Sequence, residues 1–155
     1  MTSIHQLIKN AITANLEGAL QGWGLPADTA VVIDATGGAD SIEKFISKTR
    51  AMSEDKIEAC VYIPSVSFVA LERPQTANMT GQCTLIVRDR YRSAFTAASA
   101  IATAMQAVEL YIETDEESGI TQSITLDPTG MQVELDFGAD AYLIVSQFTY
   151  NKYKA

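Results

Sequence analysis

Histidine, tryptophan and cysteine are nearly absent: the 155 residues contain one His, one Trp and two Cys. The single histidine, His5, cannot form a His-pair metal site. It falls on the polar face of the first predicted helix, where a solvated imidazole is the plain reading. Cys60 and Cys83 each lie inside a predicted strand, and both are expected as buried free thiols in a reducing compartment. Basic residues are scarce too, with 11 Lys and Arg against 19 Asp and Glu, for a net charge of −8. That balance argues against direct nucleic-acid recognition, which needs clustered Lys and Arg, and against binding an anionic membrane. No apolar run approaches the roughly 20 residues that span a bilayer as a helix. The segment Met1-Thr2-Ser3-Ile4-His5-Gln6 lacks the basic and apolar regions of a secretion signal.

What is present is globular in composition, 47% hydrophobic and 19% charged, and it is read as a single domain, residues 1–155. Ile4, Leu7, Ile8, Ala11, Ile12, Leu16, Ala19 and Leu20 recur at helical spacing. Ser3 and Gln6 are placed for a capping box, and Gly22, Gly24 and Pro26 end the helix. Ala30–Ile33 is a short strand. After the loop at Gly37-Gly38, a short helix is predicted with Ile42, Phe45 and Ile46 on its inner face. Lys56–Ile63 and Ser65–Leu71 read as strand on either side of Pro64, which marks a bulge or an edge. Glu72–Asn78 reads as a loop and Gln82–Arg88 as the antiparallel partner.

Ser93–Glu109 is predicted as one long Ala-rich helix, with Phe95, Ala98, Ile101, Ala102, Met105 and Val108 facing inward. Trp23 is expected as a core anchor. Glu113–Ser118 reads as an acidic solvated loop. Ile120–Leu126 and Met131–Phe137 are predicted as a hairpin about the turn Asp127-Pro128-Thr129-Gly130, and Tyr142–Tyr150 as a central last strand. The expected class is α+β: a largely antiparallel or mixed sheet with an N-terminal helix and one long central helix packed on it.

No catalytic, cofactor or metal constellation emerges. The Gly37-Gly38 loop lacks a phosphate-binding fingerprint and is flanked by Asp34 and Asp40, which would repel a phosphate. Ser41-Ile42-Glu43-Lys44 fits S-x-x-K, but the companion elements of penicillin-binding enzymes are missing. Asp115-Glu116-Glu117 lacks the spaced oxygens of a calcium loop. Arg88, Arg90 and Arg92 alternate, so on an extended strand they share a face. Gln132, Glu134 and Asp136 give the predicted hairpin one polar, acidic face. These six residues are the candidate subunit interface, with the basic and acidic groups on separate elements that a neighbouring copy brings together.

The element order adds a resemblance. An amphipathic N-terminal helix precedes a long extended pair, Lys56-Ile57-Glu58-Ala59-Cys60-Val61-Tyr62-Ile63 to Leu71 and Gln82-Cys83-Thr84-Leu85-Ile86-Val87-Arg88. One helix, a hairpin and a last strand ending Phe148-Thr149-Tyr150 follow. This resembles the tail-terminator (tail-completion) proteins of tailed bacteriophages, of the phage lambda type, over nearly the whole chain. The Asp34–Met52 segment has no counterpart in that pattern. The resemblance implies a virion structural protein, not an enzyme, with no cofactor. It would be made in the host cytoplasm and assembled into the virion at the head–tail interface. Its partners would be itself, in a ring that is typically a hexamer, the tail tube protein and the head–tail connector protein. The alternatives are another head–tail joining or tail-tube-associated subunit, or a small intracellular domain that binds a ligand at Gly37-Gly38.

Overall fold

The computed structural model describes residues 3–34, 45, 57–69, 77–88, 94–136 and 141–154. The first helix, α1 (Ile4–Gly22), follows its apolar stripe: Leu7, Ile8, Ala11, Ile12, Leu16, Ala19 and Leu20 are all buried. Ser3 caps it through a complete capping box, its side chain accepting from the Gln6 N–H while the Gln6 side chain accepts from the Ser3 N–H. At the other end Gly24 N–H donates to Gln21 O at 3.0 Å and Leu25 N–H to Leu20 O at 2.9 Å. This Schellman closure needs a left-handed residue, supplied by Gly24 at φ +73°.

Among the described residues six strands form one sheet: β1 (Ala30–Asp34), β2 (Ile57–Val69), β3 (Ala77–Arg88), β4 (Tyr111–Asp115), β5 (Ile120–Asp136) and β6 (Ala141–Lys154), in the order β1-β2-β3-β6-β5-β4. β1 runs parallel to β2, and every other neighbouring pair is antiparallel. A second helix, α2 (Ala94–Gln106), lies between β3 and β4 in the chain.

The α+β expectation with one long central helix is overturned. The fold is mostly β, an antiparallel sheet curled as a half-barrel. Strands of 5, 13, 12, 5, 17 and 14 residues outweigh helices of 19 and 13. α2 stops at Gln106, short of Glu109, because the chain leaves the helix there to join the sheet: Leu126 N–H donates to Val108 O at 3.2 Å. The predicted loop Glu113–Ser118 is half strand, since Glu113, Thr114 and Asp115 belong to β4. The predicted 120–137 hairpin is one strand. Its Asp-Pro-Thr-Gly chemistry makes an irregularity between Asp127 and Gln132 instead of a reversal.

Buried side chains of both helices and of one sheet face form the main core, around Leu7, Ile8, Ile101, Met105, Leu85 and Phe148. The small buried residues Ala97, Ala98, Ala100 and Ala104 let α2 approach its neighbours closely. Two aromatics expected inside are outside. Phe95 is 55% exposed and meets Tyr142 edge-on, with ring centroids 6.2 Å apart. Trp23 is 43% exposed and ties α1 to α2 by donating its indole N–H to Thr103 Oγ1 at 3.0 Å. A second, smaller cluster joins Phe45, Cys60 and Ile86, with Tyr62 and Leu143 beside it. Phe45 is helical, and the rest of the predicted short helix lies outside the described residues.

Candidate functional site

The features with functional potential are edges. β1 pairs with β2 over Ile57–Val61 alone. From Tyr62 to Val69, β2 therefore has no outer strand among the described residues. At the opposite side, β4 covers β5 over Ile120–Ile124. Beyond the Leu126 bond to Val108, β5 runs on to Asp136 with no outer strand among the described residues.

Each open edge is broken by an irregularity at a proline. In β2 the register shifts between Tyr62 and Ser65, so Ile63 and Pro64 oppose the single residue Cys83. Pro64 thus sits where the sequence placed it, at a bulge on an edge. In β5 the register shifts between Asp127 and Gln132, around Pro128. There Thr129 N–H donates to Asp127 Oδ1 at 2.8 Å, and the buried Ser146 hydroxyl donates to Asp127 O at 3.1 Å. The regular open stretches are then Ser65–Val69 and Gln132–Asp136. Val66 is exposed on the first, at 40%, and Val133 on the second, at 37%.

Of the six sequence-predicted residues, Gln132 and Glu134 are exposed and flank Val133 on the open part of β5, while Asp136 ends that strand opposite Ala141. Arg88 is half-buried and stands directly across from Glu58 within its own chain. The register places Arg88 and Glu134 on one sheet with β6 between them, and Glu134 stands level with Ile86, two residues along β3 from Arg88. Arg90 and Arg92 lie outside the described residues, as do Gly37, Gly38, Ser41 and Lys44. Sequence reasoning missed Val66 and Val133 as edge residues. The signal available was a proline interrupting an otherwise β-rich run in each strand.

The acidic segment after β4 builds its own turn. Asp115 Oδ1 accepts from Glu117 N–H at 3.1 Å, and Gly119, at φ +69°, returns its N–H to Asp115 O at 2.8 Å. Hydrogen bonds, first from the Ser118 side chain and then from the Glu117 backbone, hold the Asp115 carboxyl below its usual range. Among the described residues no three His, Cys, Asp or Glu side chains gather as a metal site. Cys60 and Cys83 are buried and not joined in a disulfide. They belong to opposite sheet faces, Cys60 with Phe45 and Cys83 in the main core. Burial pushes the Cys83 thiol up to about 12. No helix among the described residues is long and apolar enough to cross a membrane. Neither a scan against protein-family models nor a search of curated proteins found a match.

Proposed function

We propose that this chain is a virion structural subunit of the bacteriophage tail-terminator type, which joins copies of itself into a ring that caps the tail tube and meets the head connector. The observation that carries the reading is the pair of unlike open edges, Ser65–Val69 and Gln132–Asp136, on opposite sides of one sheet. β2 and β5 run antiparallel to each other through the intervening strands. The β5 edge of one copy can therefore extend the sheet onto the β2 edge of the next in antiparallel sense. Such a contact uses two different surfaces and is head-to-tail, the kind that closes into a ring when its rotation permits.

Both stretches lie at the C-terminal ends of their strands, which run antiparallel, so they fall at opposite ends of the sheet and each addition is staggered along the strand direction. A ring closes only when the strands tilt to the ring axis enough to absorb that stagger, as in a barrel. The prolines and bulges beside each stretch keep the contact short and hinder indiscriminate edge pairing. Gln132 and Glu134, exposed on either side of Val133, are the rim polar groups that set register. On this reading the chain works by contact and carries no catalysis, and it acts at the head–tail interface of the virion. Sedimentation and electron-microscope images of the purified chain, with and without tail tubes, test it. Closed rings are expected alone or on the tubes; a monomer under both conditions overturns the reading.

A further inference from the structure

The outer edge of β4 is chemically unlike the two edges above. Leu110 and Ile112 are 60% and 52% exposed, and among the described residues β5 is the only strand beside β4. Register places Ile112 opposite Ser123 and Thr114 opposite Thr121, while Glu113 faces Gln122 and Asp115 faces Ile120. One side of the strand therefore carries Ile112 and Thr114, with Leu110 in the same phase just before it. The other side carries Glu113 and Asp115. Glu109, Glu116 and Glu117 flank the strand, and from Ser93 to Asn151 the chain has no Lys, Arg or His.

We infer that the β4 edge is a strand-addition site for an extended segment of another protein in which aliphatic and basic residues alternate. Main-chain hydrogen bonds to an open edge supply affinity, and alternate side chains supply specificity. An added strand sets every second residue beside Leu110 and Ile112, where an aliphatic contact removes apolar surface from water. The residues between fall beside Glu113 and Asp115, where opposite charges across strands stabilise and like charges repel. The chain's own basic runs do not fit. Arg88-Asp89-Arg90-Tyr91-Arg92 would set Asp89 and Tyr91 against Ile112. Lys152-Tyr153-Lys154 is already paired with Gln122, Thr121 and Ile120 inside the sheet. The partner is therefore a different chain, and the inference stands independently of the ring.

The probe is a fluorescein-labelled hexapeptide of alternating Val and Lys, titrated with the full chain and followed by anisotropy. Saturable binding that weakens with salt is expected. Ile112→Lys, a surface change that leaves the core intact, should weaken it about tenfold or more, and so should Glu in place of every Lys in the peptide. Two further peptides, N-methylated on all Val or on all Lys residues, separate strand addition from plain charge attraction. Only alternate N–H groups of an added strand face the edge, so one of the two should lose binding and the other keep it. No binding, equal binding by both methylated peptides, or an unchanged affinity of Ile112→Lys or of the Glu peptide would each overturn the inference.

Discussion

Two glycines of α1 should respond to alanine with opposite signs. Gly18 lies inside the helix, and Gly24 closes it at φ +73°. A Cβ at either position would meet nothing within 4 Å, so neither change alters packing and only backbone terms remain. At Gly18 the methyl restricts the unfolded chain and removes a poor helix former, a gain of about 0.5–1 kcal/mol. At Gly24 the same methyl must sit in the left-handed region, a net cost of about 1 kcal/mol even after the unfolded chain is restricted. The two variants should thus differ by about 2 kcal/mol, or about 4–8 °C in Tm for a chain of this size. Urea titration followed by circular dichroism measures both on one scale, with the slope unchanged if the unfolded surface is the same. Shifts of the same sign, or a neutral Gly24→Ala, would refute the capping argument.

Three other outcomes are expected. Cys60 and Cys83 should resist a thiol reagent in the folded protein and give two thiols per chain when it is unfolded without reductant, whereas none on unfolding would contradict the absence of a disulfide between them. The Cys83 pKa rises from 9.0 to about 12 on burial, so the unfolded state loses that proton first. Its effect is absent below about pH 9 and then lowers stability by about 1.4 kcal/mol per pH unit up to the folded value, read as a denaturation midpoint that Cys83→Ala makes flatter against pH. Ser146→Ala removes the hydroxyl that donates to Asp127 O and should cost about 1–3 kcal/mol by leaving a partly buried carbonyl short of a partner. An unchanged denaturation midpoint would show that the β5 irregularity does not depend on that bond.

The parts legible in the sequence are those where one local signal dominates. α1 shows both its stripe and its capping box, and the pairing of β2 with β3 follows from two apolar runs of strand length. The misreadings have physical causes. Asp127-Pro128-Thr129-Gly130 carries the chemistry of a reversal, but the pairing with β6 resumes at Gln132 opposite Val145, so cross-strand pairing overrode the turn preference. β4 was hidden because an edge strand buries little: Glu113 and Asp115 can occupy it while still reaching water. Phe95 and Trp23 invited a core assignment by size, yet the close approach of Ala-rich α2 leaves such rings at the margin. Pro64 signalled an edge, but the extent of both open edges was illegible, because it follows from how far β1 and β4 reach along their longer neighbours, a tertiary property.

The central claim is that two unlike edges join in a head-to-tail contact. It is tested most directly by the sedimentation of two edge-blocked variants, Val66→Lys and Val133→Lys, alone and mixed. Both side chains are already partly exposed, so neither change should unfold the chain, and circular dichroism checks this. Each variant alone retains one good edge but meets no complement, and should stay monomeric under conditions where the parent forms rings. Mixed in equal amounts, the intact β5 edge of Val66→Lys can meet the intact β2 edge of Val133→Lys, and assembly should stop at a heterodimer. Rings from either variant alone, or no heterodimer in the mixture of folded variants, would contradict it.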